Sequence, residues 1–109
     1  MYVKGDVVLV AFPFTDQSSS VTRPALVVST LPYNESSGDV IVAMITSRRH
    51  DLPTDVMVSK WQGAGLLHQS WVRAKLATVS QSLIRFQPGR LHEDDLTAVN
   101  AAIRLALEL

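Results

Sequence analysis

Two short polar stretches, each at one end of an apolar run, carry the residues best suited to chemistry. In "TRPALVVST", residues 22–30, Arg23 precedes Pro24, which has no N–H for a β-ladder and favours an extended residue before it. In "TSRRH", residues 46–50, two hydroxyls and two arginines follow the run "VIVAMI". A guanidinium can hold two phosphate oxygens while a hydroxyl donates to a third site. If neighbouring strands bring these ends together, the group is suited to a phosphodiester.

The chemistry that fits such a group is cleavage of RNA without a metal ion. In that reaction the 2′-hydroxyl attacks its own phosphate, and the protein must move protons and stabilise the oxyanion. The residue types alone leave two plainer interpretations open. Arg23 could be a surface arginine at the start of a strand, and residues 46–50 could be a solvated charged turn.

Other chemistry has little support in the sequence. The three histidines are scattered, without the HxH or HxxxH spacing typical of metal ligands. There is no GxSxG turn of a serine hydrolase, no GxGxxG or GxxxxGK[ST] phosphate loop, and no cysteine. A dedicated metal site, serine hydrolysis, nucleotide hydrolysis and thiol chemistry are therefore disfavoured.

Composition predicts one globular domain over residues 1–109. Hydrophobic residues make up 47% and charged residues 18%, and ten basic residues balance ten acidic ones. A net charge of zero argues against coating nucleic acid through bulk charge, so any polyanion site must concentrate its cations locally. The start of the chain does not resemble a signal peptide, and no apolar stretch is long enough to span a bilayer. We expect a soluble cytoplasmic protein with no membrane association.

The hydrophobic pattern predicts a mainly β fold closed by a helix. Short Val-, Ile- and Leu-rich runs are separated by turn-like segments such as "LPYNESSG", residues 31–38. From residue 92 the period changes, and Leu96, Val99, Ile103 and Leu107 fall on one helical face. The acids of "EDD" suit the first turn of this helix, although His92 is a poor N-cap. The predicted strands are "DVVLVAF", "PALVVST", "DVIVAMITS", "DVMVS" and "SWVRAKLATV".

Several of these segments, in this order, resemble the MazF/PemK family of toxins from type II toxin–antitoxin systems. The resemblance implies a small SH3-like curled sheet or barrel of about five to seven strands with a C-terminal α-helix. It also implies a homodimer and a metal-independent, sequence-specific endoribonuclease that acts on single-stranded RNA and needs no cofactor. A cognate antitoxin would block it by laying a flexible tail in the RNA groove. The segments that carry the resemblance are "KGDVVLVAFPFTDQSSSVTRPALVVST", "VIVAMITS", "SWVRAKLATVSQSLI" and "GRLHEDDL".

The resemblance also implies roles for individual residues. The arginine of the "RPALVV" motif and the threonine of the "TS" strand end form the family's catalytic pair, and here they are Arg23 and Thr46. Some relatives carry a carboxylate where this chain has Lys75, so an acidic group assigned to the chemistry is missing here. Phe14 would stack on a base or pack in the core. The implied RNA-binding residues are Phe14, Thr15, Asp16, Gln17, Ser47, Arg48, Arg49 and Arg73.

Two alternatives of another class remain. The same barrel occurs in toxins that poison DNA gyrase through protein contacts of the terminal helix, but "IRLALEL" has no aromatic or strongly polar ending suited to that contact. The second alternative is a catalytically inactive relative that only binds RNA or protein. Trp61 and Trp71 are expected to be packing or dimer-interface residues, because indole rings contribute mainly to buried surfaces.

Overall fold

The computed structural model describes residues 1–12 and 21–109 of the chain. Within them the chain forms six β-strands and two α-helices. The strands are β1 (Asp6–Phe12), β2 (Val21–Val27), β3 (Asp39–Thr46), β4 (Val56–Met57), β5 (Trp71–Ser80) and β6 (Ile84–Arg90). The helices are α1 (Leu31–Ser37) and α2 (Glu93–Leu107), and a short 3-10 turn, Gln81–Leu83, precedes β6.

All six strands belong to one antiparallel sheet with the order β4-β5-β3-β2-β1-β6. A mainly β fold of six strands with a C-terminal helix confirms the predicted fold class. The sheet is open, since the end strands β4 and β6 do not pair with each other in the described part of the chain. No helix in the described residues is both long and apolar enough to cross a lipid bilayer.

The predicted strands match the structure closely in some places and not in others. β1 spans the predicted "DVVLVAF", while β2 begins at Val21, three residues before Pro24. β6 was not predicted, because Pro88 and Gly89 look like turn residues. An edge strand tolerates both, since its outer N–H groups have no ladder partner to lose.

The segment "LPYNESSG", predicted to be a turn, instead contains the helix α1. Pro32 lies in the first turn, where its missing N–H costs nothing, and Gly38 ends the helix in the left-handed conformation with φ 73°. For α2 the prediction about His92 was wrong: its Nδ1 accepts a hydrogen bond from the Asp94 N–H at 3.1 Å and caps the helix.

The core lies on both faces of the sheet because successive strand residues point to opposite sides. One cluster, which includes Val7, Leu26 and Ala43, packs under α2 through Val99. The other is built from the alternate residues of the same strands, such as Val8, Val10 and Val42. On the predicted helical face Leu107 is the exception, since 51% of it is exposed.

Candidate functional site

A cavity of about 980 Å³ opens where β2 and β3 separate. The hydrogen-bonded ladder between β2 and β3 ends at the pair Ala25–Met44, and Pro24 immediately precedes Ala25 in β2. The same register continued by two residues would place Arg23 opposite Thr46. Both residues line the cavity, as does Pro24 between them and the ladder. The end of the ladder therefore sets the guanidinium and the hydroxyl at one mouth.

A bulge in β5 brings two further cations to this cavity. β3 and β5 pair at Ala43–Leu76 and again at Ile45–Val72, so Met44 alone faces three residues of β5. Those residues are Arg73, Ala74 and Lys75, and Arg73 and Lys75 line the cavity. The extra residues of a β-bulge interrupt the regular alternation of side chains between the two faces of a sheet. Bulges are therefore often found beside functional sites, where they change the direction of a side chain.

The cavity is strongly cationic, although the chain has no net charge. Three basic residues, Arg23, Arg73 and Lys75, lie on its wall, and no residue among the described lining carries a carboxylate. Two imidazoles, His50 and His68, lie there too. Hydroxyls come from Thr22, Thr46, Ser47 and Ser70, and an apolar wall from Leu9, Leu66, Leu67, Phe86 and Pro88.

The hydroxyl of Thr46 is held in place by its own turn. Its Oγ1 accepts a hydrogen bond from the backbone N–H of Arg48 at 3.0 Å. This contact uses one lone pair of the oxygen and leaves its proton to be donated. Thr46 is half-buried at the end of β3, whereas Ser47 beside it is exposed.

A buried carboxylate of α2 fixes the segment that forms one side of the cavity. Asp95 accepts hydrogen bonds from the Ser59 hydroxyl at 2.6 Å, the Ser59 N–H at 3.2 Å and the Lys60 N–H at 3.0 Å. Burial alone would raise the pKa of Asp95, but these hydrogen bonds and the nearby His92 outweigh it, and the pKa lies below its usual value. The segment held in this way leads to Gly65 and Leu66 in the cavity wall.

Backbone contact with β6 completes that wall. Gly65 has a φ of +81°, and a Cβ there would lie 2.5 Å from the carbonyl oxygen of Pro88. A Cβ on Gly89 would in turn lie 2.6 Å from the carbonyl oxygen of Ala64. Only glycine allows the two backbones to approach so closely.

The structure brings together four of the residues predicted for the site. Arg23, Thr46, Ser47 and Arg73 line one cavity. Arg48 and Arg49 do not line it; both are exposed on the loop after β3, and Arg49 forms an ion pair with Asp51. The predicted residues Phe14, Thr15, Asp16 and Gln17 lie outside the described part of the chain.

Sequence reasoning missed several residues of the cavity. His68 and Phe86 lie in segments that carry no motif, and β6, which contributes Phe86, was not predicted as a strand. His50 stood in the quoted "TSRRH" run, but its imidazole was considered only as a metal ligand. Of the two tryptophans, Trp61 packs against the core cluster under α2, as expected for a packing residue.

Within residues 1–12 and 21–109, no group of three or more histidine or acidic side chains is placed to hold a metal ion. The polar residues of the cavity are instead cations, hydroxyls and imidazoles, which suit an anionic ligand.

Comparison with known proteins identifies the family of this chain. A family model described as "PemK-like, MazF-like toxin of type II toxin-antitoxin system" matches residues 3–107. The chain belongs to this toxin family. No curated protein sequence matches the chain.

Solved structures of similar toxins have the same fold. An endoribonuclease in complex with its cognate antitoxin, from a mycobacterial species, superposes with a TM-score of 0.83 at 22% identity, over 100% of this chain and 97% of that chain. The Mycobacterium tuberculosis toxin MazF-mt6 superposes with a TM-score of 0.80 at 24% identity, over 95% of this chain and 97% of that chain. MazF from Deinococcus radiodurans superposes with a TM-score of 0.79 at 25% identity, over 99% of this chain and 97% of that chain. The resemblance seen in the sequence is thus confirmed at the level of family and fold.

Proposed function

We propose that this chain is the toxin of a type II toxin–antitoxin system and cleaves single-stranded RNA without a metal ion. The 2′-hydroxyl attacks the adjacent phosphorus and the bond to the 5′-oxygen breaks. The products carry a 2′,3′-cyclic phosphate and a 5′-hydroxyl, so no water is consumed in the cleavage.

One observation carries this proposal: Arg23, Arg73 and Lys75 converge on a cavity without a described carboxylate in its wall. A neutral chain gathers positive charge in one place only at the cost of repulsion between the cations, and a bound polyanion relieves that repulsion. RNA is the polyanion that family membership supports, since the family's relatives include proteins described as endoribonucleases.

In the proposed chemistry, five of the cavity residues have a part. The guanidinium of Arg23 holds the non-bridging oxygens of the phosphate, and the Thr46 hydroxyl donates to the charge that develops on them. His50 and His68 supply imidazoles, the side chain best suited to proton exchange near neutral pH. The exposed Phe86 offers an aromatic face on which an unstacked base can lie.

The same surface is the proposed target of the antitoxin. A flexible tail that fills the cavity would exclude RNA and so block cleavage. Similar toxins have been solved with their antitoxin, both from mycobacteria and from Deinococcus radiodurans. We further propose a homodimer that acts in the cytoplasm, where its RNA substrate lies.

The test is cleavage of a long single-stranded RNA by the purified, antitoxin-free protein in excess EDTA. We expect cuts at a few short motifs with the two product ends named above. Arg23→Ala should lower the rate by about 100-fold or more, the usual cost of losing a group that stabilises an oxyanion. Its fold should persist because Arg23 is exposed.

Arg85→Ala is the matched control. Arg85 is also an exposed strand arginine, but it donates to the Ser82 carbonyl at 3.1 Å and lies outside the cavity lining. This variant should cleave like the wild type. Equal losses in both variants, or no cleavage by a folded wild type on several RNAs, would reject the proposal and direct attention to gyrase or to a non-catalytic role.

A further inference from the structure

Arg73, which lines the cavity, also contacts a carboxylate that lies outside the cavity lining. Its Nε lies 3.3 Å from Oδ1 of Asp55, in the loop before β4. Only 5% of the Asp55 side chain is exposed, against 22% of the Arg73 side chain. A buried carboxylate of this kind orients its partner far more firmly than an exposed one, since solvent does not screen the pair.

Asp55 is itself locked by the backbone. Its Oδ2 accepts a hydrogen bond from the Leu52 N–H at 3.0 Å, and its own N–H donates to the Leu52 carbonyl at 3.0 Å. Both carboxylate oxygens are therefore engaged, one by a turn and one by the guanidinium. The contact occupies the Nε edge of Arg73, and its two Nη groups make no hydrogen bond with residues 1–12 or 21–109.

We propose that Asp55 is a positioning residue, which holds Arg73 by Nε so that the Nη groups are presented to an RNA phosphate in the cavity. This inference rests on the proposed function. Arg73 lies in the β5 bulge, where the regular strand geometry does not fix its direction, so a second contact is needed to aim it. Asp55 supplies that contact without entering the cavity.

The charge of Asp55 gives this role a kinetic signature. Its negative charge weakens the attraction of the site for a polyanion, but it fixes the guanidinium in one direction. Removing the charge should therefore leave RNA affinity unchanged or stronger while turnover slows, because the phosphate is held less accurately in the transition state. A variant that merely unfolds part of the protein would not show this split.

The chain contains a matched control, Asp6. The Asp6 side chain is 3% exposed, its Oδ2 accepts from the Val3 N–H at 2.9 Å, and its Oδ1 lies 2.6 Å from Nη1 of Arg90. The arrangement repeats that of Asp55, with the backbone donor again three residues earlier. Asp6 and Arg90 do not line the cavity.

The experiment compares Asp55→Asn, Arg73→Ala, their double variant and Asp6→Asn. The kcat and KM for a short RNA, the affinity for the same RNA with 2′-O-methyl groups, and the melting temperature are measured for each. We expect Asp55→Asn to lower kcat about tenfold, as is usual when the partner of a site residue is lost. It should not weaken affinity, and it should have no further effect once Arg73 is alanine. Asp6→Asn should lower the melting temperature with kcat unchanged.

The positioning role is overturned if Asp55→Asn leaves kcat within twofold of the wild type, if the loss persists in the Arg73→Ala background, or if Asp6→Asn produces the same kcat loss. Should Asp55→Asn fail to fold, Asp55→Glu, which keeps the charge and moves the carboxylate, takes its place. A wild type that does not cleave RNA rejects the proposed function instead. The affinity cycle then decides: an affinity that stays unchanged, or rises only while Arg73 is present, supports positioning, and a loss of affinity, or a change that persists in the Arg73→Ala background, rejects it.

Discussion

At the scale of single residues, Pro24 explains why Arg23 lies at the mouth of the cavity. Without an N–H, Pro24 cannot continue the ladder from Ala25–Met44 toward the end of β3. β2 nevertheless stays paired with β1 on its other side, where Pro24 faces Leu9. The first half of β2 is therefore held by β1 on one side, while its residues before Ala25 do not pair with β3 on the other. Arg23 lies in this half.

Thr46 should act through its hydroxyl and not through its shape. We expect Thr46→Val, which keeps the volume, to lower the cleavage rate about 10- to 100-fold, while Thr46→Ser stays close to the wild type. Single-turnover cleavage rates for the two variants give the measurement. Similar rates for valine and serine would show that the hydroxyl takes no part.

The sequence could predict a position in the site only for residues that belong to a short local motif. Pro24 predicted that Arg23 lies at the start of a strand, but Arg23 is the third residue of β2, and only the β3 side of the strand is unpaired there. The role proposed for Arg23 came from the family resemblance. Asp55 was not predictable, because its role depends on Arg73, 18 residues away, and on a bulge that no local pattern announces. Lys75 was noted as a departure from the family, but only the cavity shows that it adds charge beside Arg73.

At the scale of elements, α2 supports one side of the cavity through a single carboxylate. Asp95 satisfies two backbone N–H groups and one hydroxyl at the start of the segment that leads to Gly65. β6 then holds the far end of that segment through the close approach of Gly65 and Pro88. β6 and α1 were missed from the sequence for one reason: proline and glycine mark turns, but also the edges of strands and the ends of helices.

Asp95→Asn should lower the free energy of unfolding by about 2 kcal/mol near pH 7, since hydrogen bonds to a buried charge are lost. The folded-state pKa of Asp95 lies below its unfolded value, so the stabilisation is present above about pH 4 and is lost as the pH falls through the folded pKa. Urea unfolding at pH 7 and at pH 3 should therefore show a large difference from the wild type that shrinks in acid.

Asp94→Asn is the control for this prediction, because Asp94 lies in the same turn of α2 but is exposed, and its lysine partner Lys60 is 3.8 Å away. It should unfold like the wild type at pH 7. A pH-independent loss in Asp95→Asn would mean that shape, and not charge, anchors the segment.

At the scale of the whole molecule, charge is distributed unevenly. The chain is neutral, yet Arg23, Arg73 and Lys75 line one cavity whose described wall has no carboxylate. Apart from Asp55, which pairs with Arg73 from outside the lining, acidic residues lie elsewhere, as in the first turn of α2, where Glu93, Asp94 and Asp95 suit the helix dipole. Composition alone predicted that charge must be concentrated locally, but the sheet order decides where. It brings β2, β3 and β5, which carry the cations and Thr46, to one opening.

RNA affinity should therefore depend on salt through a few identifiable charges. Lys75→Ala should reduce the slope of log affinity against log salt by about 0.7, the value for one phosphate contact on a single strand. Affinity for a 2′-O-methyl RNA, measured at several salt concentrations, gives the slope. Arg85→Ala, outside the cavity lining, should leave it unchanged; an equal change in both variants would mean that the attraction is diffuse.

The pairing of β1 with β6 also sets when the protein becomes active during its own synthesis. β1 leaves the ribosome before β6, and at about 5–20 residues per second the interval between them lasts about 4–16 s. Until β6 arrives, the outer edge of β1 has no partner and the wall that contains Phe86 and Pro88 does not exist. A nascent chain therefore cannot form the complete cavity until β6 has been translated. An interrupted chain would carry an open strand edge that favours aggregation over cleavage.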